Sequence, residues 1–323
     1  MKILQIGYGE MGKFICRALK NNKMISKLVV SDSKIQQPYE KDGVRFVGDI
    51  KGFDISEFDC AFVCTPATTH YQIAEMLLDA GCKNIYMEKP AVMNMEEYNK
   101  ISKMKDDCKI VSGYILRQSE PIFAMKCIIN KMLAEGFRME LCSVTYQKNL
   151  PNSMNERAQG DIGVFEEIVH IWDLLFNYLE FKLGECEMLD RLLENDPDRA
   201  DRIIYAQLSY YLRFPDFNAL LRLTSSFKAE EKKREFFFTY KDGNGNRRHI
   251  FLSFDNKTGS DWLIVTEANG HILYKEEYRS MAKLDHEMAE VLNYFKTGEQ
   301  YNLSLFEDSL TVIDLLKEAG LHL

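Results

Sequence analysis

Gly7, Gly9 and Gly12, in the run Gly7-Tyr8-Gly9-Glu10-Met11-Gly12, have the residue type and spacing to hold a pyrophosphate. An apolar strand pattern, Lys2 to Ile6, leads into them and a helical pattern follows. That is the order in which a Gly-x-Gly-x-x-Gly turn binds a dinucleotide. The first glycine allows the tight turn, the second lets the backbone approach the pyrophosphate, and the third lets the helix pack closely on the sheet. The helix, beginning around Glu10 and Met11, then points its positive dipole end and unpaired N–H groups at the phosphates. The next strand pattern, Lys27 to Val30, ends in Ser31-Asp32-Ser33-Lys34. A carboxylate at Asp32 would accept hydrogen bonds from ribose hydroxyls and repel a 2′-phosphate, so NAD is expected in preference to NADP. Ser31, Ser33 and Lys34 are also able to receive a phosphate, which keeps NADP open, and Asp32 has the alternative use of capping a loop.

The elements that must position these residues alternate strand and helix. Phe58 to Cys64 reads as a buried strand and His70 to Ala80 as a helix, followed by strand Lys83 to Met87, helix Met95 to Lys105 and strand Lys109 to Ser112. This rhythm predicts an α/β fold with a doubly wound parallel sheet, whose ligands sit at the carboxyl ends of the strands. The period changes near residue 118, which divides the chain into a dinucleotide-binding domain (1–118) and a second domain (119–323). The second begins with helix Ile122 to Gly136, strand Met139 to Gln147, an irregular stretch to Gly163 and a helix to about Leu179. Aromatic and β-branched runs follow at Ile203 to Phe214, Ala219 to Phe227, Phe236 to Tyr240 and His249 to Phe254. With Gly243-Asn244-Gly245-Asn246 and Asn269-Gly270 as hairpin loops, they predict a mostly antiparallel sheet, closed by amphipathic helices Met281 to Phe295 and Leu305 to Ala319. Tyr205, Tyr210, Phe236 to Phe238 and Phe251 are more aromatic surface than one covered face needs, so a homodimer or homotetramer assembled through this sheet is expected.

Composition narrows the functional classes. The chain has 323 residues, a formal net charge of −8 and apolar and charged fractions ordinary for a soluble globular protein. An acidic field argues against nucleic acid or anionic membrane as partners. Eight cysteines lack Cys-x-x-Cys spacing, so they read as buried thiols and no metal site is expected. Gln5 and Gly7 break the apolar start too early for an export signal, and no segment has the length of a membrane span, which points to a reduced, cytoplasmic protein.

Four segments carry a resemblance: Val63-Cys64-Thr65-Pro66-Ala67-Thr68-Thr69-His70, Glu88-Lys89-Pro90, Gly113-Tyr114-Ile115-Leu116-Arg117, and Glu166 to Asp173 around His170. Together with the glycine fingerprint, in order and spacing, they resemble the Gfo/Idh/MocA oxidoreductase family, and the likeness extends to a closing helical segment at Leu303 to Ala319. The resemblance implies an N-terminal Rossmann domain, a C-terminal α+β domain on a large open-faced sheet, bound NAD or NADP, and a hydride moved to or from a sugar, nucleotide sugar, cyclitol or related hydroxyl carbon. It implies that Thr65 and Pro66 contact the cofactor and that His70 belongs to the same loop, structurally or as a contact. It also implies that Glu88 reaches toward the ribose and nicotinamide side, that Lys89 is the catalytic lysine, and that His170 is the histidine of an Asp-x-x-x-His motif with Glu166 in the aspartate's place.

The chemistry is consistent with those roles. Oxidising an alcohol by hydride loss requires its proton to leave as well, and histidine titrates in the right range. A lysine at the same oxygen stabilises the charge that develops there. Glu166 is four residues from His170 and so shares its helical face; Glu167 and Asp173 are three away, which leaves the orienting acid open. Arg117 follows a strand, where it either contacts substrate or forms a salt bridge. Lys148 and Arg157 flank the irregular stretch, where they would favour an anionic or nucleotide-linked substrate. Two departures from the family pattern, Gly160-Asp161-Ile162 in place of three glycines and Ile168 two residues before the histidine, should reshape the pocket. An imine or enal reductase, or a non-catalytic NAD(P)-binding regulator on the same scaffold, is the alternative reading.

Overall fold

The computed structural model describes residues 1–51, 53–105, 107–149, 163–179, 186–197, 199–254, 259–279 and 283–321. The contacts divide into two units: Met1–Gln118 with Ala282–Leu323, and Ser119–Met281.

The first unit opens with β1 (Lys2–Ile6), α1 (Glu10–Lys20) and β2 (Lys27–Ser31), then a hairpin of β3 (Tyr39–Lys41) and β4 (Val44–Val47). It continues through β5 (Cys60–Val63), α2 (His70–Asp79), β6 (Asn84–Glu88), α3 (Met95–Met104) and β7 (Lys109–Gly113). In space the strands run β7-β6-β5-β1-β2-β4-β3 and are parallel except for β3 at the edge. Ile3 packs with Ile15 and Leu19 of α1 on one face of the sheet, and Leu4 with Ala74 and Leu77 of α2 on the other. Helices on both faces are why the central strands are apolar at successive positions instead of alternating. Strand order reverses between β1 and β5, which opens the crevice where such sheets take ligands, beyond the carboxyl ends of those strands.

The second unit contains α4 (Glu120–Ala134), β8 (Arg138–Asn149), α5 (Phe165–Trp172) continued by a π-helical stretch (Asp173–Tyr178), β9 (Cys186–Asp196) and β10 (Arg199–Arg213). There follow β11 (Asn218–Ser226), β12 (Lys228–Lys241), β13 (Arg247–Ser253), β14 (Ser260–Glu267) and β15 (Ile272–Arg279). They form a sheet in the order β15-β14-β13-β12-β8-β11-β10-β9, parallel only between β8 and β11. Alternation is clean: Val144, Phe236, Leu223 and Leu252 are buried on one face. The aromatic surplus therefore divides. Tyr210, Phe236 and Phe238 fill the covered face, while Tyr205, Phe237 and Phe251 are only partly buried on the other.

The chain ends with α6 (Lys283–Thr297), β16 (Ser304–Leu305) and α7 (Ser309–Glu318). The change of period assigns everything after 118 to one domain, but residues from 282 onward return to the first unit. The reason is coverage of the parallel sheet. Met288, Val291, Leu292 and Phe295 of α6 join the α1 face, Phe306 and Ile313 join the opposite one, and β16 pairs with β7. Each such side chain contributes about 1.5–3 kcal/mol by burial. Arg117 fixes this return: it is 6 % exposed, and its guanidinium donates to the Leu303 carbonyl at 2.9 Å and to the Asp308 carboxylate at 2.8 Å. Of its two readings the structure gives the salt bridge, and Arg117 is not available to a substrate. Cys16, Cys60, Cys64, Cys82 and Cys142 are buried as expected, while Cys127 is exposed. Among the described residues no helix is long and apolar enough to cross a membrane.

Replacing Arg117 by Ala removes the guanidinium from the Leu303 carbonyl and from the half-buried Asp308 carboxylate, which keeps the Ser304 hydroxyl at 3.3 Å. Urea unfolding should then register a loss of about 2–4 kcal/mol. A loss under about 1 kcal/mol would show that the ion pair does not hold the C-terminal segment.

Candidate active site

Each unit carries its own share of the candidate residues. In the first, the glycine loop leaves β1 under close steric control. Gly7 has φ +99, and a Cβ there would stand 2.5 Å from the Cys64 carbonyl oxygen at the end of β5. Its N–H donates to the Ser31 carbonyl at 2.7 Å, so one residue ties the ends of β1, β2 and β5 together. Gly12 lies against the Gly7 carbonyl, 2.4 Å from where its Cβ would be. Gly9 is different: a Cβ there would meet nothing within 4 Å. It is the N-cap residue of α1, no side chain caps that helix, and Glu10 and Met11 are exposed in its first turn. A helix N-terminus without a side-chain cap, behind an open glycine, is what an anionic pyrophosphate requires. The residues present fit a dinucleotide.

Asp32 closes the far side of this cradle. Its carboxylate accepts the Tyr8 N–H at 2.7 Å and the Lys34 N–H at 2.9 Å. Asp32 thus caps its own loop and places a carboxylate against the glycine turn.

The Thr65 loop follows β5. Thr69 Oγ1 donates to the Pro66 carbonyl at 2.7 Å and contacts Thr65 Oγ1 at 2.8 Å, which holds Thr65 and Pro66 beside the glycine loop. His70 acts behind this loop, not as a cofactor contact. It is 0 % exposed, with one ring nitrogen 2.9 Å from the Pro90 carbonyl and the other 2.9 Å from the Thr65 carbonyl. Burial pushes its pKa down, and the Lys89 charge adds to that. His70 thus braces the Thr65 turn against the cis Lys89–Pro90 turn after β6. Glu88, at the end of β6, is buried beside the Tyr86 hydroxyl, and burial raises its pKa against the opposing pull of Lys89. Lys89 itself is half-buried.

In the second unit, α5 is positioned by Gly163. Its φ is +64, and a Cβ would fall 2.0 Å from the Ile203 carbonyl of β10, the same carbonyl that accepts the Val164 N–H at 2.8 Å. His170 is then 8 % exposed near the end of α5, with Phe165 and Trp172 packed as core, their ring centroids 5.7 Å apart. Glu167 is bound by the Lys148 ammonium and has Arg234 at 3.6 Å, so Lys148 faces α5 and its charge is met there. Asp173 is buried and accepts from Asn177 Nδ2 at 3.2 Å; Glu166 is half-buried. Arg157 and the Gly160-Asp161-Ile162 run lie outside the described residues.

Sequence reasoning missed Gln5, whose amide donates to the Gly7 and Gly12 carbonyls at 2.8 Å each from a fully buried position. A lone polar residue within an apolar strand pattern was its signal.

Residues 1–112 match the Gfo/Idh/MocA oxidoreductase family, NAD-binding Rossmann fold. Several solved structures share the fold over the whole chain. UDP-N-acetylglucosamine 3-dehydrogenase from Acidithiobacillus ferrooxidans is 18 % identical with a TM-score of 0.73, covering 99 % of this chain and 96 % of its own. A 3-ketoreductase from Actinomadura kijaniata, solved with NADP and TDP-benzene, is 14 % identical with a TM-score of 0.75, covering 99 % and 97 %. No curated protein matches the sequence.

The contrast between Gly7 and Gly9 is directly measurable. Gly7→Ser should lose at least about 2 kcal/mol in thermal unfolding, from a clash with backbone and a positive φ. Gly9→Ser, with open space and a good N-cap residue, should stay within about 0.5 kcal/mol of the parent. Equal losses at the two positions would contradict the geometry.

Proposed function

We propose, from an N-terminal domain that is the NAD-binding Rossmann fold of the Gfo/Idh/MocA oxidoreductases, that this protein moves a hydride between a nicotinamide cofactor and a hydroxyl or keto carbon of a sugar, nucleotide sugar or cyclitol. The observation that carries the reading is the open Gly9 position at the uncapped N-terminus of α1, set beside the braced Thr65 and Lys89–Pro90 turns of the same unit. The nicotinamide, when bound, supplies or accepts the hydride. The chain's own residues handle the rest. Backbone N–H groups of α1 hold the pyrophosphate, Asp32 receives the adenosine ribose, and Thr65 and Pro66 line the cofactor's path.

Lys89 and His170 are assigned to the reacting oxygen: His170 takes or gives its proton and Lys89 stabilises its developing charge. That assignment rests on the sequence resemblance and on the chemistry of alcohol oxidation. Glu166 is proposed to orient His170 or bind a neighbouring hydroxyl, and Asp173 and Arg157 are proposed for substrate. One structure of similar fold is named a UDP-N-acetylglucosamine 3-dehydrogenase and another is a 3-ketoreductase solved with TDP-benzene, which puts nucleotide-linked sugars first in a substrate panel. Oligomerisation is proposed through the uncovered face of the second unit's sheet, where Phe237, Phe251 and Ile264 lie in register and half-buried. A cytoplasmic location follows from the reduced thiols expected of the sequence.

Against a substrate found in that panel, His170→Ala and Lys89→Ala should each lower turnover by roughly 10² or more. Near-normal turnover in both would place the chemistry elsewhere. A protein that binds NADH yet reduces or oxidises nothing in the panel would favour a regulator. Titration should show NADH bound more tightly than NADPH, with the preference relaxed in Asp32→Ala; NADPH tighter by about tenfold or more would refute the role given to Asp32. Light scattering at micromolar concentrations should return a dimer or tetramer mass, and a single-chain mass would remove the proposed interface.

A further inference from the structure

Between Leu4 and Ile6 of β1 stands the amide of Gln5, a polar group in the middle of an apolar strand. It shares a face with Ile3, which packs with Ile15 and Leu19 of α1, and it is fully buried there. Its nitrogen lies 2.8 Å from the Gly7 carbonyl oxygen and 2.8 Å from that of Gly12. Both partners are acceptors, so the atom between them is the nitrogen, and its two protons are both committed. The amide oxygen is equally buried and has no partner among the described residues. Gly12 leaves room for the contact: a Cβ there would stand 3.1 Å from the Gln5 nitrogen.

A buried amide whose acceptor is unmet is a poor device for stability, because an apolar side chain of the same length would fill this part of the core without that loss. What the amide supplies is geometry. Gly7 lies at the strand end of the turn and Gly12 in the first turn of α1, so one planar group ties both ends of the Tyr8–Met11 segment to β1. A hydrogen bond at each end sets the distance from strand to helix, and with it the direction of the helix N-terminus. Asp32 holds the same segment from the side of β2 through the Tyr8 N–H. Breaches of local sequence preference of this kind gather at functional sites.

We infer that Gln5 is a positioning residue for the dinucleotide: by drawing the Gly7 and Gly12 carbonyls inward to one amide, it holds the uncapped N-terminus of α1 in the conformation that receives the pyrophosphate. The inference deepens the cofactor reading above and rests on it for the pyrophosphate alone. Gln5 acts through the backbone of the turn and touches no reacting atom. Because the segment is ordered before the cofactor arrives, binding does not have to order it. Loss of the amide therefore shows in affinity more than in the fold.

Gln5→Met keeps the length and the apolar fill and removes the donor. Its melting temperature should stay within about 4 °C of the parent, while NADH affinity by calorimetric titration should fall about tenfold or more. In the cofactor-free protein the Gly7, Tyr8 and Lys13 amides, which donate to Ser31, Asp32 and Gly9, should exchange hydrogen at least about tenfold faster than in the parent, with β12 and β13 unchanged. Gln5→Glu is a second test that does not need Gln5→Met to fold. The neutral acid keeps one donor, whereas the carboxylate has none and faces two carbonyl oxygens, so burial and those carbonyls raise its pKa. Relative to the parent at the same pH, its NADH affinity should be highest below that raised range and fall as the pH rises through it, by up to about tenfold per unit. Parental NADH affinity in folded Gln5→Met, parental exchange rates there, or a Gln5→Glu affinity in constant ratio to the parent's across pH would each overturn the inference. Failure of both variants to fold would make Gln5 a residue of the fold alone and equally overturn it. If the parent binds neither NADH nor NADPH, the cofactor reading fails by itself, and the exchange rates still decide whether Gln5 holds the segment.

Discussion

The candidate site of the first unit depends on one close approach, Gly7 against the carbonyl of Cys64. There is no room for a β-carbon between β1 and β5, so the chain can only leave β1 by the tight turn that a positive φ permits. That turn sends the next residues toward the sheet's carboxyl edge and starts α1 with its N-terminus facing outward. Gln5 clamps the turn from inside and Asp32 from the side of β2. The Thr65 turn begins at the other end of the same contact, and His70 carries its position on to Pro90 and hence to Lys89. A steric constraint of one residue is thereby transmitted through polar side chains set against backbone groups, the innermost of them, Gln5 and His70, fully buried, where little competes for their contacts.

What could be read from the sequence was what is local. The glycine turn, the strand before it and the helix after it occupy adjacent residues, and Asp32 follows at the end of the next strand. The Thr65 and Lys89 segments were legible through their resemblance. The β3–β4 hairpin was overlooked although Asp42-Gly43, both at positive φ, is the usual sign of a two-residue turn. The return of α6 and α7 to the first unit was not legible. Their amphipathic patterns announce a buried face without saying which sheet will cover it, and the choice depends on contacts far apart in sequence. Arg117 was obscure for the same reason, since its partner Asp308 is 191 residues away.

The second unit has a comparable constraint in Gly163, pressed on the Ile203 carbonyl, and it sets where α5 begins and so where His170 lies. Spacing alone left three acids as partners for that histidine. The geometry shows that two of them have partners of their own: Glu167 meets Lys148 and Arg234, and Asp173 meets Asn177. Charged residues near a catalytic candidate are thus partly accounted for by one another, which the one-dimensional pattern does not reveal.

The central claim is that the open Gly9 position and the first turn of α1 receive the pyrophosphate of a nicotinamide dinucleotide. Calorimetric titration of NADH into Gly9→Asp measures it most directly. Aspartate is a favourable N-cap residue and has open space at this position, so the fold and its melting temperature should persist. Its carboxylate would occupy the anion's place, and NADH affinity should fall by about hundredfold or more. A folded Gly9→Asp variant that binds NADH as tightly as the parent would contradict the account.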